Sequence, residues 1–186
     1  MQELIIYVDE NGNPTGETAE KLSAHTSNTR KHLAFSCYVF NTKGQILVTQ
    51  RALRKKVWPG VWSNSFCGHP MPGEDFYQAI ARRADAELGM QLTSLQCIKK
   101  DYSYETPVFE GVTENEYCPI FIARVDGDIH PNDAEVENYQ WMEFDDYIDA
   151  LVEGETKEWS WWAKDQLTYV KKNPTVISWV LEGQVR

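Results

Sequence analysis

The chain has 186 residues, 42% of them apolar and 25% charged, with a formal net charge of −10 and a pI near 4.9. That length and apolar content fit one globular domain, 1–186, with its own core, and the acidic balance argues against a nucleic-acid surface, which needs a broad basic face. No apolar stretch approaches the roughly 20 residues that span a bilayer, MQELIIYVDENG carries no secretion signal, and four widely spaced cysteines include no CxxC pair, so a reduced, cytoplasmic protein with a small soluble ligand is expected.

Residues 4–8 read as a strand entering a turn at DENGNPTG, where Asn-Gly and Pro-x-Gly punctuate the chain. Residues 32–40 and 45–50 are β-branched and aromatic runs joined across 41–44, the pattern of a hairpin. A short strand over 62–67 delivers the chain to a helix. Gly68 and Gly73 allow the tight turn before that helix, Glu74 sits at its start and Gly89 is its C-cap. Further strands are predicted over 97–104, 114–125 and 139–144. Tyr147, Ile148, Leu151 and Val152 suit a short helix capped by Asp145 or Asp146 and ended at Gly154. Ser160 can cap a helix over 161–172, and Pro174 can open a last one. Mixed strands around a central helix, with a helical C-terminal section, make the class α+β.

Although the whole is acidic, eight Lys or Arg residues and no Asp or Glu lie between Lys21 and Lys56, which suits a small, multiply charged anion. The run GHPMPGEDFYQAIARRADAELGM, 68–90, resembles the Nudix box in degenerate form. Gly68, Glu74, Arg82, Glu87 and Gly89 match, while Arg83 and Ala86 replace glutamates that the hydrolytic members use to gather metals and activate water. Arg83 and Glu87 share one helix face, and a carboxylate there can hold a hard divalent cation that in turn holds a diphosphate. Glu114 and Glu116, two apart in an extended run, point to one face; two such carboxylates need a counter-ion, and a metal is the economical one. His25, His32 and His69 could join them in a site of borderline softness, although each histidine taken singly reads as structural. Cys67, at the strand-to-helix junction beside helix N–H groups and basic residues, is expected to favour thiolate; nucleophile, acid/base group and inert packing stay open for it.

At Cys67-Gly68-His69-Pro70, with Glu114-Asn115-Glu116, His25 and His32, the chain resembles the type I isopentenyl-diphosphate Δ-isomerases, bacterial short form. The resemblance runs from about Tyr7 to Trp162 and includes AHT at 24–26, TRKHLAFS at 29–36 and KKVWPGVWSNSFCGHP at 55–70; 163–186 carries no motif. It implies a Nudix-like mixed sheet sandwiched by helices, with an N-terminal strand extension and C-terminal helices. It implies one divalent Mn, Mg or Zn ion held by His25, His32, His69, Glu114 and Glu116, and a Mg²⁺ linking Glu87 to the substrate diphosphate. Lys21, Arg51, Lys55 and Arg83 would hold that diphosphate. Cys67 and Glu116 would be the proton-transfer pair, with Tyr104 near Glu116 and the face of Trp161 toward a carbocation-like intermediate. Trp58, Trp159 and Trp162 read as packing, and His130 as a surface loop residue. A monomer is expected. A Nudix pyrophosphohydrolase and a catalytically silent metal-binding scaffold are the competing readings; the glutamates missing at Arg83 and Ala86 count against the first, and the retained Cys67 and Glu116 against the second.

Overall fold

The computed structural model describes residues 3–154 and 158–185. An N-terminal hairpin, β1 (Leu4–Val8) and β2 (Pro14–Glu20), leads through the one-turn helix α1 (Lys21–Ala24) into β3 (His32–Leu33) and β4 (Phe35–Phe40). There follow β5 (Ile46–Arg51), β6 (Trp62–Ser63), β7 (Phe66–Gly68), helix α2 (Phe76–Leu88), β8 (Leu92–Lys99) and β9 (Ser103–Glu105). β10 (Asn115–Tyr117), β11 (Ile120–Val125) and β12 (Val136–Met142) come next, then α3 (Phe144–Glu153), α4 (Trp161–Val170) and α5 (Pro174–Gln184).

The strands form two mixed sheets, in the orders β2-β1-β3-β10-β9 and β12-β5-β4-β11-β8, with β6 on β5 and β7 on β4. Strand β4 shows why the second sheet is sandwiched. All six of its residues are buried, and because side chains alternate across a strand, Phe35, Cys37 and Val39 meet the core beneath α2 while Tyr38 and Phe40 meet the core beneath α3, α4 and α5. A strand covered on both faces reads as a continuous apolar run. Each such large side chain contributes about 1.5–3 kcal/mol by leaving water.

Two predicted runs prove to be two strands each. The 32–40 run bends at Ala34, and the 114–125 run bends at Cys118-Pro119, so that β3 and β10 lie in the first sheet while β4 and β11 lie in the second. The two crossings are neighbours, because β3 and β10 pair in parallel and so do β4 and β11. Backbone bonds from Ala34 N to Tyr117 O (2.9 Å) and from Ser36 N to Pro119 O (3.1 Å) tie them together. The proline, which has no N–H to give to a ladder, sits where the ladder is interrupted anyway.

The 62–67 run likewise divides into β6 and β7, and 97–104 into the ends of β8 and β9. β2 was not predicted, since Pro14 and Gly16 read as a turn; it is an exposed edge strand with no apolar alternation to betray it, and edges tolerate proline. Helix α2 begins two residues later than Glu74 suggests. Asp75 is its N-cap, accepting from Gln78 N (2.8 Å) while the Gln78 side chain accepts from Asp75 N (3.0 Å), and Glu74 instead binds Arg82. Gly89 ends the helix at φ 56°. Helix α3 starts at Phe144 behind Glu143, so Asp145 and Asp146 occupy its first turn and do not cap it. Ser160 precedes α4 as predicted, but its hydroxyl meets Ser63 Oγ (3.0 Å) and caps nothing. Among the described residues no helix is long and apolar enough to cross a membrane.

Candidate active site

The strand crossings create the site. In register, Glu116 of β10 stands beside His32 of β3 on one side and Tyr104 of β9 on the other, and Cys67 of β7 stands beside Ser36 of β4. His69 follows β7 directly, and His25 follows α1. The chain can make this approach at Gly68 because a Cβ there would come within 2.9 Å of both Arg83 Cγ and Phe35 Cζ.

Ligand atoms of His25, His32, His69 and Glu116 all lie within 4.8 Å of one another. Backbone carbonyls fix two of the rings. His25 Nδ1 meets Lys21 O at 2.6 Å and His32 Nδ1 meets Arg30 O at 2.9 Å; a carbonyl can only accept, so both Nδ1 atoms carry a proton and each ring turns its Nε2 inward. His32 Nε2 and His69 Nε2 face each other at 3.2 Å, and Glu116 Oε1 lies 3.2 Å from His69 Nε2. Glu114 joins at the edge, with Oε2 3.1 Å from His25 Nε2, and that oxygen is buried without a hydrogen-bond partner among the described residues.

Burial presses the His69 pKa down to about 3, against the pull of Glu116, so this ring is neutral. For Glu116 burial works toward the acid form, but hydrogen bonds from His32 and His69 outweigh it and hold the carboxyl well below its usual range. At His25 burial opposes charge, yet Glu114 wins and the pKa rises. A buried carboxylate among inward-facing imidazoles is a donor set that fits a divalent cation.

Beside the cluster a cavity of about 150 Å³ is lined by His25, His69, Glu114, Glu116, Cys67 and Tyr104, and by the cations Lys21, Arg51, Lys55 and Arg83. Ten of the residues singled out in the sequence therefore share one wall. His32 is fully buried behind it, and Glu87, not among the lining residues, bonds Arg83, which is. Trp161 is not among the lining residues: its ring stacks on Tyr104, centroids 5.7 Å apart and 21° between planes. Trp162 is at the wall instead, its Nε1 donating to Ser63 Oγ and Asn64 Oδ1 at 3.0 Å each. His130 is exposed in a loop, as expected.

The thiolate expectation for Cys67 fails. Burial pushes its pKa up to about 12 and nearby Glu116 pushes in the same direction, more than Ser36, Asn64 and Arg51 can offset. Cys67 is a thiol that donates to Asn64 Oδ1 (3.3 Å) and lies 3.4 Å from Ser36 Oγ. Tyr104 O–H donates to Glu116 Oε2 at 2.8 Å, and burial with that carboxylate keeps the phenol protonated. Asn64 and Ser36 were not singled out, although both lie inside motifs quoted above. Glu3 and Glu135 were also missed. Glu3 accepts from Lys21 Nζ (2.7 Å) and Arg83 Nη1 (2.6 Å), and Glu135 pairs with Lys55 and lies 3.5 Å from Arg83.

The NUDIX domain description matches residues 30–163. An isopentenyl-diphosphate Delta-isomerase of Kocuria rhizophila is 48% identical over 165 residues, covering 89% of this chain and 91% of the relative. One of Salmonella heidelberg is 50% identical over 151 residues, covering 81% and 83%. Among solved structures, a Deinococcus radiodurans protein superposes with a TM-score of 0.62 at 18% identity, covering 82% of this chain and 91% of that one. The MutT protein of Methanosarcina mazei gives 0.57 at 16% identity, covering 77% and 96%. The solved structures speak for the fold alone.

Proposed function

Because the chain belongs to the NUDIX family and, within it, to the isopentenyl-diphosphate Delta-isomerases, we propose that Cys67 and Glu116 move the protons by which it interconverts isopentenyl and dimethylallyl diphosphate. The observation that carries this assignment is the meeting of a protonated thiol, a buried carboxylate and a protonated phenol in one cavity beside inward-turned imidazoles.

The reaction adds a proton at C4 of an unactivated alkene and removes one from C2, through a tertiary-carbocation-like intermediate. An ordinary carboxylic acid is too weak for the first step; a divalent ion held by His25, His32, His69, Glu114 and Glu116 would draw charge from the Glu116 carboxylate and strengthen the acid. Mn, Mg and Zn all suit that donor set. Tyr104 orients Glu116 Oε2 through its hydrogen bond. Asn64 and Ser36 orient the thiol, and Tyr104, backed by the stacked ring of Trp161, offers with Trp162 at the wall π density to the cationic carbon, worth about 2 kcal/mol when desolvated.

Lys21, Arg51, Lys55 and Arg83 take the diphosphate, and Glu87 is the carboxylate that would hold a Mg²⁺ neutralising it. The convergence of four cations on one cavity supports this: burial, then Arg51, depresses the Lys55 pKa, a repulsion that an anionic head relieves. We read the chain as one catalytic domain, 1–186, working as a cytoplasmic monomer without nucleic acid, which its four free thiols and acidic charge support. Incubation with isopentenyl diphosphate and Mg²⁺ in deuterated water tests the reading. Deuterium-labelled dimethylallyl diphosphate without phosphate release is expected, whereas release of phosphate or pyrophosphate would overturn it in favour of a hydrolase.

A further inference from the structure

Trp58 is held in an unusual state. Its backbone lies in the left-handed region at φ 51°, where a bulky residue is strained. Arg51 fastens it there, donating Nε–H toward the carbonyls of Val57 (3.2 Å) and Trp58 (3.0 Å) and an Nη2–H to Val57 (2.7 Å). The ring is 5% exposed, and its Nε1 is buried with no hydrogen-bond partner among the described residues. Buried indole N–H groups ordinarily find a partner, so this ring is placed for its faces.

One face lies on Phe109, centroids 4.2 Å apart and 10° between planes, and Trp162 packs on it nearly perpendicular at 5.6 Å and 79°. Phe109 belongs to a hairpin tip. Phe109 and Val112 exchange backbone bonds of 2.8 and 3.0 Å around Glu110 at φ 48° and Gly111 at φ 83°, the paired positive angles of a tight hairpin turn. Below the tip, Thr106 N donates to Glu114 O (2.8 Å) and Glu114 N to Thr106 Oγ1 (2.9 Å), so the tip extends the ladder that carries Tyr104 and Glu116. Val57 and Val112, each tied directly to the stacked pair, line the cavity together with Trp162.

We propose that the Trp58–Phe109 stack backs the cavity wall formed by Val57 and Val112 and sets the specificity of the site, limiting the hydrocarbon end of the substrate to a short branched chain and excluding longer isoprenyl diphosphates. Every such diphosphate presents the same head, so Lys21, Arg51, Lys55 and Arg83 cannot tell them apart, and discrimination falls to the apolar wall. The cavity of about 150 Å³ is small beside the roughly 300–1,000 Å³ of sites for drug-sized ligands. A longer chain would have to part Val57 from Val112, which means breaking the stack and pulling on the ladder that ends at Glu114.

The inference rests on the diphosphate-isomerase reading, and binding alone tests it. Isothermal titration with Mg²⁺ compares a saturated five-carbon diphosphate (isopentyl), a ten-carbon one (geranyl) and inorganic pyrophosphate on the wild type, Phe109→Ala and Phe109→Leu. The five-carbon preference is expected to narrow about tenfold or more in Phe109→Ala and less in Phe109→Leu, with pyrophosphate affinity unchanged. The same preference in both variants, with pyrophosphate still bound, overturns the wall. A wild type that binds pyrophosphate but neither alkyl diphosphate overturns the isomerase reading and the wall with it.

Discussion

Glu3 bonds two of the four cations that line the cavity, Lys21 and Arg83, and so occupies charge that the diphosphate needs. Burial raises its pKa, but Lys21 and Arg83 outweigh that and hold it at about 2, below its ordinary 4.5. With a depressed folded-state pKa, the stabilisation from this carboxylate is complete above pH 4.5 and is lost as the pH falls through about 2; at neutral pH the clamp is fully formed. Substrate must displace it. Glu3→Gln is therefore expected to lower the KM for isopentenyl diphosphate several-fold with kcat little changed, and steady-state kinetics showing a raised KM would mean that Glu3 orders the cations for substrate. Cys67→Ala makes a different split. It keeps the cations and the imidazoles, so it should bind substrate as tightly as the wild type while turnover falls by about 10²–10⁴; a fully active variant would remove the thiol from the proton path. The sequence located Cys67 but misjudged its state, because local neighbours suggest a thiolate while the deciding influence, burial beside β4, is visible only when the strands are assembled.

Elements were legible to the degree that their signals are local. The hairpin between β4 and β5, helix α2 and the C-terminal helices were all expected, since turn residues, caps and the 3.6-residue period are written within a few positions of one another. The bends at Ala34 and Pro119 were not, because a strand that changes sheets keeps its apolar pattern and only its hydrogen-bond partners change. The same loss explains the missed α1, whose four residues are too few to show a period. Helix α2 fixes Arg83 and Glu87, so its capping matters beyond stability. Asp75→Ala deletes the half of the reciprocal cap in which the Asp75 carboxylate accepts from Gln78 N, leaving the Asp75 N–H bond to Gln78, and should cost about 1 kcal/mol, read as a lower midpoint in urea with an unchanged m value. Catalytic constants measured well below that midpoint should hold, and a collapse of turnover there would show that the first turn of α2 shapes the site.

Across the whole molecule, the proposed metal ligands come from places far apart in sequence: His25 after α1, His32 in β3, His69 after β7, Glu114 and Glu116 at β10. The motifs announced most of these residues, but not what their convergence does to the fold. The first sheet reaches the second through the strand crossings at Ala34 and Pro119, and the cluster sits at that junction. Glu114 Oε2 and His69 Nδ1 are buried atoms lacking a hydrogen-bond partner among the described residues, and each such group costs stability. A cation held here would give the Glu114 oxygen a partner and crosslink the sheets. At about a hundred times its dissociation constant a ligand of the native state stabilises by about 2.7 kcal/mol, and for a domain of this size each kcal/mol moves Tm by about 2–4 °C. Chelation should therefore lower Tm by about 5–10 °C, abolish turnover, and be reversed by restoring one equivalent of a divalent ion. His32→Ala, which removes a ligand that does not touch the cavity, should melt at the same temperature with or without chelator. Identical melting of the native protein before and after chelation would mean that the histidine cluster holds no cation, and that its carboxylate is managed by shared protons alone.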